Sequence, residues 1–257
     1  RARPDGMHIQ DDVIGTVPVR HYRPETLGTP HRILYMHGGG FVVGSCDSHD
    51  AICADFAESA QAELTAIDYR LAPEYIWPAQ HEDCHTVMHS LLMAGKKIVL
   101  VGDSAGGMLA TGLALRARDD GFGDRILGQV LIYPALGGDL NWPSYGQMAS
   151  APGLSTDDVI YYRDVLKAPM DDPVAHALSV DDLRGLPPTY ITSAYFDPLR
   201  DDGREYTARL ARAGIWVQYR EEPQMIHGWL RARYMSAGAK DGFDHVCQAI
   251  TRMVNQE

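Results

Sequence analysis

The chain has no run of about 18 consecutive apolar residues, which excludes a bilayer-spanning helix. Cysteine is scarce, and Cys46, Cys53, Cys84 and Cys247 are scattered with no CxxC spacing. That excludes a disulfide framework and points to a reducing, cytoplasmic setting, while the lack of a first Met leaves room for a removed leader and a secreted, processed form. Basic residues are outnumbered, 23 Lys+Arg against 34 Asp+Glu, for a formal net charge of −11. Nucleic acid and anionic membrane surfaces both require a basic patch, so neither is expected as a partner. Internal repeats, low-complexity segments, a G-x-G-x-x-G before a helix and a phosphate-binding P-loop are also missing. What remains is an ordinary globular composition, 45% hydrophobic and 22% charged over 257 residues, enough for one domain (1–257) with a sizeable core.

Short apolar runs alternate with longer segments of helical period. Strands are expected near Gly6–Gln10 and at Val17–Tyr22, Arg32–Met36, Glu63–Asp68, Lys97–Val101, Ile126–Tyr133, Thr189–Ala194 and Trp216–Arg220. Helices are expected over Ser48–Ala60 (capped by Asp47 or Ser48), Pro78–Ala94, Ala105–Asp119, Ser155–Lys167, Arg200–Ala213 and Phe243–Val254. Lys97–Val101 is apolar on both faces, the mark of a central parallel strand. A Gly/Pro-rich stretch, Pro134–Gly153, interrupts the alternation, and Gly121–Gly123 reads as a simple loop. The pattern specifies an α/β fold with a mostly parallel, doubly wound sheet of about eight strands.

The central motif is Gly102-Asp103-Ser104-Ala105-Gly106. A G-x-S-x-G pattern arises by chance about 0.1 times in a chain of this composition, so its position carries the weight. It lies between the buried strand and the helix that starts at Ala105, where a nucleophile elbow must lie: a sharp turn that lifts the Ser104 Oγ above the sheet, flanked by glycines because a Cβ would clash. His37-Gly38-Gly39-Gly40 follows another strand directly, and two of its backbone N–H groups with that of Ala105 would make an oxyanion hole.

A serine nucleophile needs a base, and the base an orienting carboxylate. In the chain order Ser, acid, His, Asp197 follows the strand Thr189–Ala194 and His227 follows Trp216–Arg220. Asp201 and Asp202 read as capping charges of the next helix, and His245 as a surface or packing residue. His81-Glu82-Asp83-Cys84-His85 matches the zinc-protease pattern H-E-x-x-H, extended by His89, but no third ligand is evident. The favoured reading is a helix face with partly exposed histidines, with no metal and no cofactor.

With HGGG, GDSAGG, Asp197-Pro-Leu and His227-Gly in this order, the chain resembles the hormone-sensitive-lipase family of α/β-hydrolases, the bacterial family IV carboxylesterases. Tyr69-Arg-Leu-Ala-Pro-Glu74 followed by Trp77-Pro-Ala is similar to that family's segment after its fourth strand. The resemblance implies the α/β-hydrolase fold and hydrolysis of short- to medium-chain acyl esters, with Ser104 as nucleophile, His227 as base and Asp197 as its partner. It maps the oxyanion donors onto Gly39, Gly40 and Ala105, gives Arg70 and Glu74 structural roles, and implies a homodimer through the edge strand Trp216–Arg220. Only 36 residues precede His37, so the family's N-terminal helical cap is either absent or lies outside this sequence; the remaining cap would be an insertion at 137–168, and a thinner cap implies an open site. Phe41, Trp142, Tyr145, Met148, Leu154, Leu199 and Trp229 are candidates for the substrate pocket. The same triad cleaves several acyl bonds, so amidase, deacetylase and arylformamidase chemistries stay open. Non-catalytic small-ligand receptors such as the plant gibberellin receptors share the fold, but lack the triad histidine that His227 supplies here.

Overall fold

The computed structural model describes residues 4–256. Eight strands form one sheet: β1 (His8–Ile14), β2 (Val17–Arg23), β3 (Arg32–Met36), β4 (Glu63–Ile67), β5 (Ile98–Asp103), β6 (Ile126–Ile132), β7 (Thr189–Phe196) and β8 (Val217–Ile226). Their order is β1-β2-β4-β3-β5-β6-β7-β8. The first two pairings are antiparallel and the other five parallel. Seven helices cover the faces: α1 (Cys46–Ala60), α2 (Ala79–Met93), α3 (Ala105–Asp119), α4 (Pro143–Gln147), α5 (Thr156–Leu166), α6 (Arg200–Arg212) and α7 (Ala237–Val254).

Strand alternation sorts the core into two layers. Ile33, Tyr35, Val99, Val101, Val130 and Ile132 pack with α1 and α7. Leu34, Met36, Ile98, Leu100 and Leu131 face the opposite way, onto α2, α3 and α6. All six residues of β5 are buried, as a strand covered on both faces requires.

Several boundaries differ from the sequence expectation for identifiable reasons. α1 starts at Cys46 because Ser45, not Asp47 or Ser48, is its cap: the Ser45 Oγ accepts from the Ser48 N–H (3.2 Å) and the Ser48 Oγ accepts from the Ser45 N–H (2.9 Å). β8 runs six residues beyond Arg220, because Glu222 is satisfied inside the sheet by the Arg220 Nε (2.7 Å) and the Thr192 hydroxyl (3.0 Å). α7 begins at Ala237 on a Ser236 cap, six residues earlier than its apolar face suggests, since Gly238 and Gly242 weaken the first turns' signal. α4 lies inside the Gly/Pro-rich stretch, with Pro143 at its first position. No helix among the described residues is long and apolar enough to cross a membrane.

Candidate active site

The β5–α3 junction is built around absent side chains. A Cβ at Gly102 would lie 2.1 Å from the Gly106 carbonyl oxygen, and one at Gly106 would lie 2.0 Å from that of Met36. The start of α3 therefore packs directly on the ends of β5 and β3. Between the two glycines Ser104 takes φ 55°, ψ −118°, a conformation that costs a non-glycine residue about 1–3 kcal/mol. Its N–H donates to the Ile132 carbonyl (2.9 Å) and its carbonyl accepts from Gly107 and Ala135 (2.9 and 3.2 Å), so β6 and α3 hold the turn closed.

The Ser104 Oγ lies 2.8 Å from the His227 Nε2, and the His227 Nδ1 lies 2.7 Å from the Asp197 Oδ2. Asp197 is fully buried just past β7, and its other oxygen accepts from the Leu199 N–H (2.9 Å). That second bond orients the carboxylate. His227 lies just past β8, with its ring 4.7 Å from that of Tyr133. Three residues distant in sequence thus meet at the C-terminal ends of three parallel strands of one sheet, β5, β7 and β8.

Gly38, Gly39 and Gly40 follow β3. Gly39 (φ 128°) and Gly40 (φ 61°) hold backbone conformations that favour glycine, and a Cβ at Gly39 would lie 2.0 Å from the Val43 carbonyl oxygen. Among the described residues neither the Gly39 nor the Gly40 N–H has an acceptor, which leaves both available at the mouth of the site. Asp103, from within the serine motif, braces this loop: its Oδ1 accepts from the Gly38 N–H (2.9 Å) and the Tyr35 hydroxyl (2.6 Å). Burial alone would raise the Asp103 carboxyl's pKa, but the neighbouring His49 and the bonds from Tyr35 and Gly38 overcome it and hold the group well below the usual range. Sequence reasoning missed this role, although the residue lay inside the motif.

A cavity of about 60 Å3 opens beside the elbow, lined by Gly40, Ser104 and Ala105 on one side. Of the expected pocket residues, Phe41, Leu154 and Leu199 line it. Trp142 instead lines a neighbouring groove with Asp139 and Ile160. Met148 lies outside the cavity lining too. Tyr145 is buried with its hydroxyl donating to Asp202 (2.8 Å), and Trp229 is buried in the opposite layer, edge-on to Tyr133 at 5.8 Å. The pocket expectation is corrected accordingly: Trp142, Tyr145 and Trp229 do not line the cavity, and Trp229 supports the ring on which His227 rests. Val159, Tyr162 and Leu166 take their place on one face of α5, a spacing of three and four residues that was legible in the sequence. The Tyr162 ring lies over Gly40, 2.4 Å from where a Cβ would be.

Asp202 is likewise not a capping charge of α6, which has no side-chain cap. It is fully buried and accepts from the Leu136 and Gly138 N–H groups (3.0 and 3.1 Å). Burial raises its pKa to about 6, against the opposing effect of those donors and Tyr145. Asp201 lies in the first turn of α6 without capping it, and accepts from the Ser144 N–H (2.9 Å). Arg70 donates to Asp83 through its backbone N–H, Nε and Nη2, tying the segment before α2 to that helix. His81 is buried rather than partly exposed, and it stacks on His85 at 6.1 Å while His85 pairs with Asp120 at 3.4 Å. Among the described residues no group of three or more His, Cys, Asp or Glu side chains is arranged to hold a metal ion.

Burial holds the His37 and His81 imidazoles down at about 4. In the unfolded chain both titrate near 6.5. Between those values the unfolded state binds protons that the folded state refuses, so this stability is complete above about pH 6.5 and is lost as pH falls towards 4. Asp202 runs the other way, holding its proton when folded, but offsets only one of the two histidines. The urea midpoint should therefore drop between about pH 7 and pH 5. A midpoint that is unchanged or higher at the acid end would contradict the buried neutral histidines.

A family model described as alpha/beta hydrolase fold matches residues 33–231. Esterase LipI of Mycobacterium tuberculosis is 37% identical over 235 residues, covering 86% of this chain and 73% of that protein. Carboxylesterase NlhH of the same organism is 34% identical over 258 residues, covering 95% and 81% respectively. A solved esterase from Pyrobaculum calidifontis, 30% identical, superposes with a TM-score of 0.91 over 99% of this chain and 87% of its own.

Proposed function

The chain belongs to the alpha/beta hydrolase fold family, and from that premise we propose that it is a serine carboxylesterase in which Ser104, His227 and Asp197 hydrolyse short- to medium-chain esters. The observation that carries this reading is the unbroken line of contacts from Asp197 through His227 to the Oγ of a serine on a strained turn, 2.7 and 2.8 Å long.

The His227 Nε2 takes the Ser104 proton as Oγ bonds to the ester carbonyl carbon, and the carbonyl electron pair moves onto oxygen. The N–H groups of Gly39, Gly40 and Ala105 donate to that oxyanion, each worth roughly 3–4 kcal/mol in the transition state. The carbon–oxygen bond to the alcohol then breaks, and the alcohol leaves with the proton held on Nε2. Water repeats the sequence on the acyl-serine, which releases the acid and returns the proton to Oγ. Throughout, Asp197 accepts from Nδ1–H, fixes the tautomer and stabilises the imidazolium.

Residues 137–168, carrying α4 and α5, act as the cap over the cavity. Pairing along β8 would give a homodimer, supported by the exposed edge of that strand and by Trp216, 49% exposed beside it. Four buried thiols, all free, fit a reducing cytoplasm. A fluorophosphonate tests the assignment directly, since displacement of fluoride by the nucleophile leaves a phosphonate on its oxygen. Mass spectrometry should find one adduct, on Ser104. An adduct on another residue would overturn the assignment.

A further inference from the structure

The chemistry above makes no use of His176. Its side chain is only 4% exposed and lines the same cavity as Ser104. Neither ring nitrogen has a hydrogen-bond partner, although the Ala168 carbonyl approaches. A buried imidazole left without partners is costly, and such a group calls for an explanation.

The ring is held in place. Gly137 (φ 84°) packs against it, and a Cβ there would lie 2.6 Å from the His176 Cβ and 2.8 Å from its Nδ1. The residues on either side of Gly137 are clamped by Asp202, as described above. The His176 N–H donates to the Asp172 carbonyl (2.9 Å), and its own carbonyl accepts from the Ser179 N–H (2.8 Å). Arg163 lines the same cavity but turns its Nη2 to the Gly138 carbonyl and the Tyr145 hydroxyl (2.9 and 3.2 Å). Phe41, Met108, Leu154, Val159 and Leu166 make the rest of the wall largely apolar. His176 is thus a buried polar side chain with unpaired ring nitrogens in a largely apolar wall.

Burial first, and the Arg163 charge second, lower the pKa of His176, so near neutral pH its ring carries one donor and one acceptor. A hydroxyl can meet either nitrogen in either tautomer, a ketone only the donor, and an alkyl chain neither. The cavity is small, about 60 Å3, so the arm that enters it is short. We propose that the substrate arm entering this cavity is a short chain bearing a hydroxyl, and that His176 is the specificity-determining residue that reads it. This inference rests on the esterase reading.

The test compares two matched pairs, one for each arm of the ester: ethyl 3-hydroxybutyrate against ethyl butyrate, and 2-hydroxypropyl acetate against propyl acetate. One neutral hydrogen bond corresponds to about tenfold in kcat/KM, so the wild type should prefer the hydroxylated member of one pair by that factor. His176→Phe keeps the ring and removes both nitrogens, and the preference should disappear. His176→Gln restores a donor and an acceptor, and should recover part of it even if the Phe variant folds poorly. Equal ratios in wild type and both variants would mean that the ring meets no group of the substrate, and would overturn the inference. Ser104-dependent hydrolysis of p-nitrophenyl acetate in the same preparations separates the two levels. Its absence overturns the esterase reading and this inference together, while its presence with equal ratios overturns only the latter.

Discussion

Ser104→Ala protein should hydrolyse p-nitrophenyl acetate about 10⁵-fold more slowly than wild type, a loss of about 7 kcal/mol of transition-state stabilisation. The size follows from the mechanism: without Oγ no acyl-enzyme forms, and the remaining groups can only orient water and bind the oxyanion. The fold should survive the change. The turn at Ser104 is held by backbone hydrogen bonds to Ile132, Gly107 and Ala135 and by the glycine contacts beneath it, none of which involve the hydroxyl. The melting temperature therefore serves as the control. EDTA should leave wild-type activity unchanged. Activity that persists in Ser104→Ala would remove the central assignment, and activity lost to EDTA would return attention to His81 and His85.

The second large effect is expected from Asp197→Asn, at about 10³–10⁴-fold in kcat with little change in KM. The two oxygens of Asp197 have different partners, the Leu199 N–H on Oδ1 and the His227 Nδ1 on Oδ2. An asparagine at this position will keep its carbonyl towards the Leu199 donor and turn its NH2 towards Nδ1. Nδ1 must then act as acceptor, which moves the imidazole proton to Nε2, the atom that has to accept from Ser104. The packing is unchanged and the tautomer is wrong. Steady-state kinetics beside a thermal melt will separate this from simple destabilisation, and a loss below tenfold would mean that Asp197 does not set the tautomer.

Much of this was legible in the residues. The elbow was readable because a G-x-S-x-G with a buried strand before it and a helix after it leaves the chain few ways to turn. Asp197 and His227 were readable because parallel strands deliver their following residues to one end of a sheet. The pocket was less so. Trp142, Tyr145 and Trp229 look like lining residues when only size and apolarity are known, yet which way each faces depends on Asp202, Tyr133 and the layer each helix joins. Those are contacts between segments more than 50 residues apart, with no local pattern to announce them. Polar residues misled in the same manner. Asp202 reads as a helix-capping charge until its partners are known, and His176 carries no signal at all outside its cavity.

The position of His227 has a consequence for how such a molecule wears out. The serine and the carboxylate follow strands with neighbours on both sides, whereas the imidazole hangs from β8, which among the described residues is paired only with β7. Edge strands fray at a fraction of the free energy needed to open a whole domain. Heat therefore finds a shorter road to silence than to unfolding: the last strand need only loosen at its end for the base to swing away, while the rest of the sheet stays whole. On cooling the strand can close again, so early inactivation would be reversible, and a second copy zipped along β8 would prolong working life without touching the chemistry.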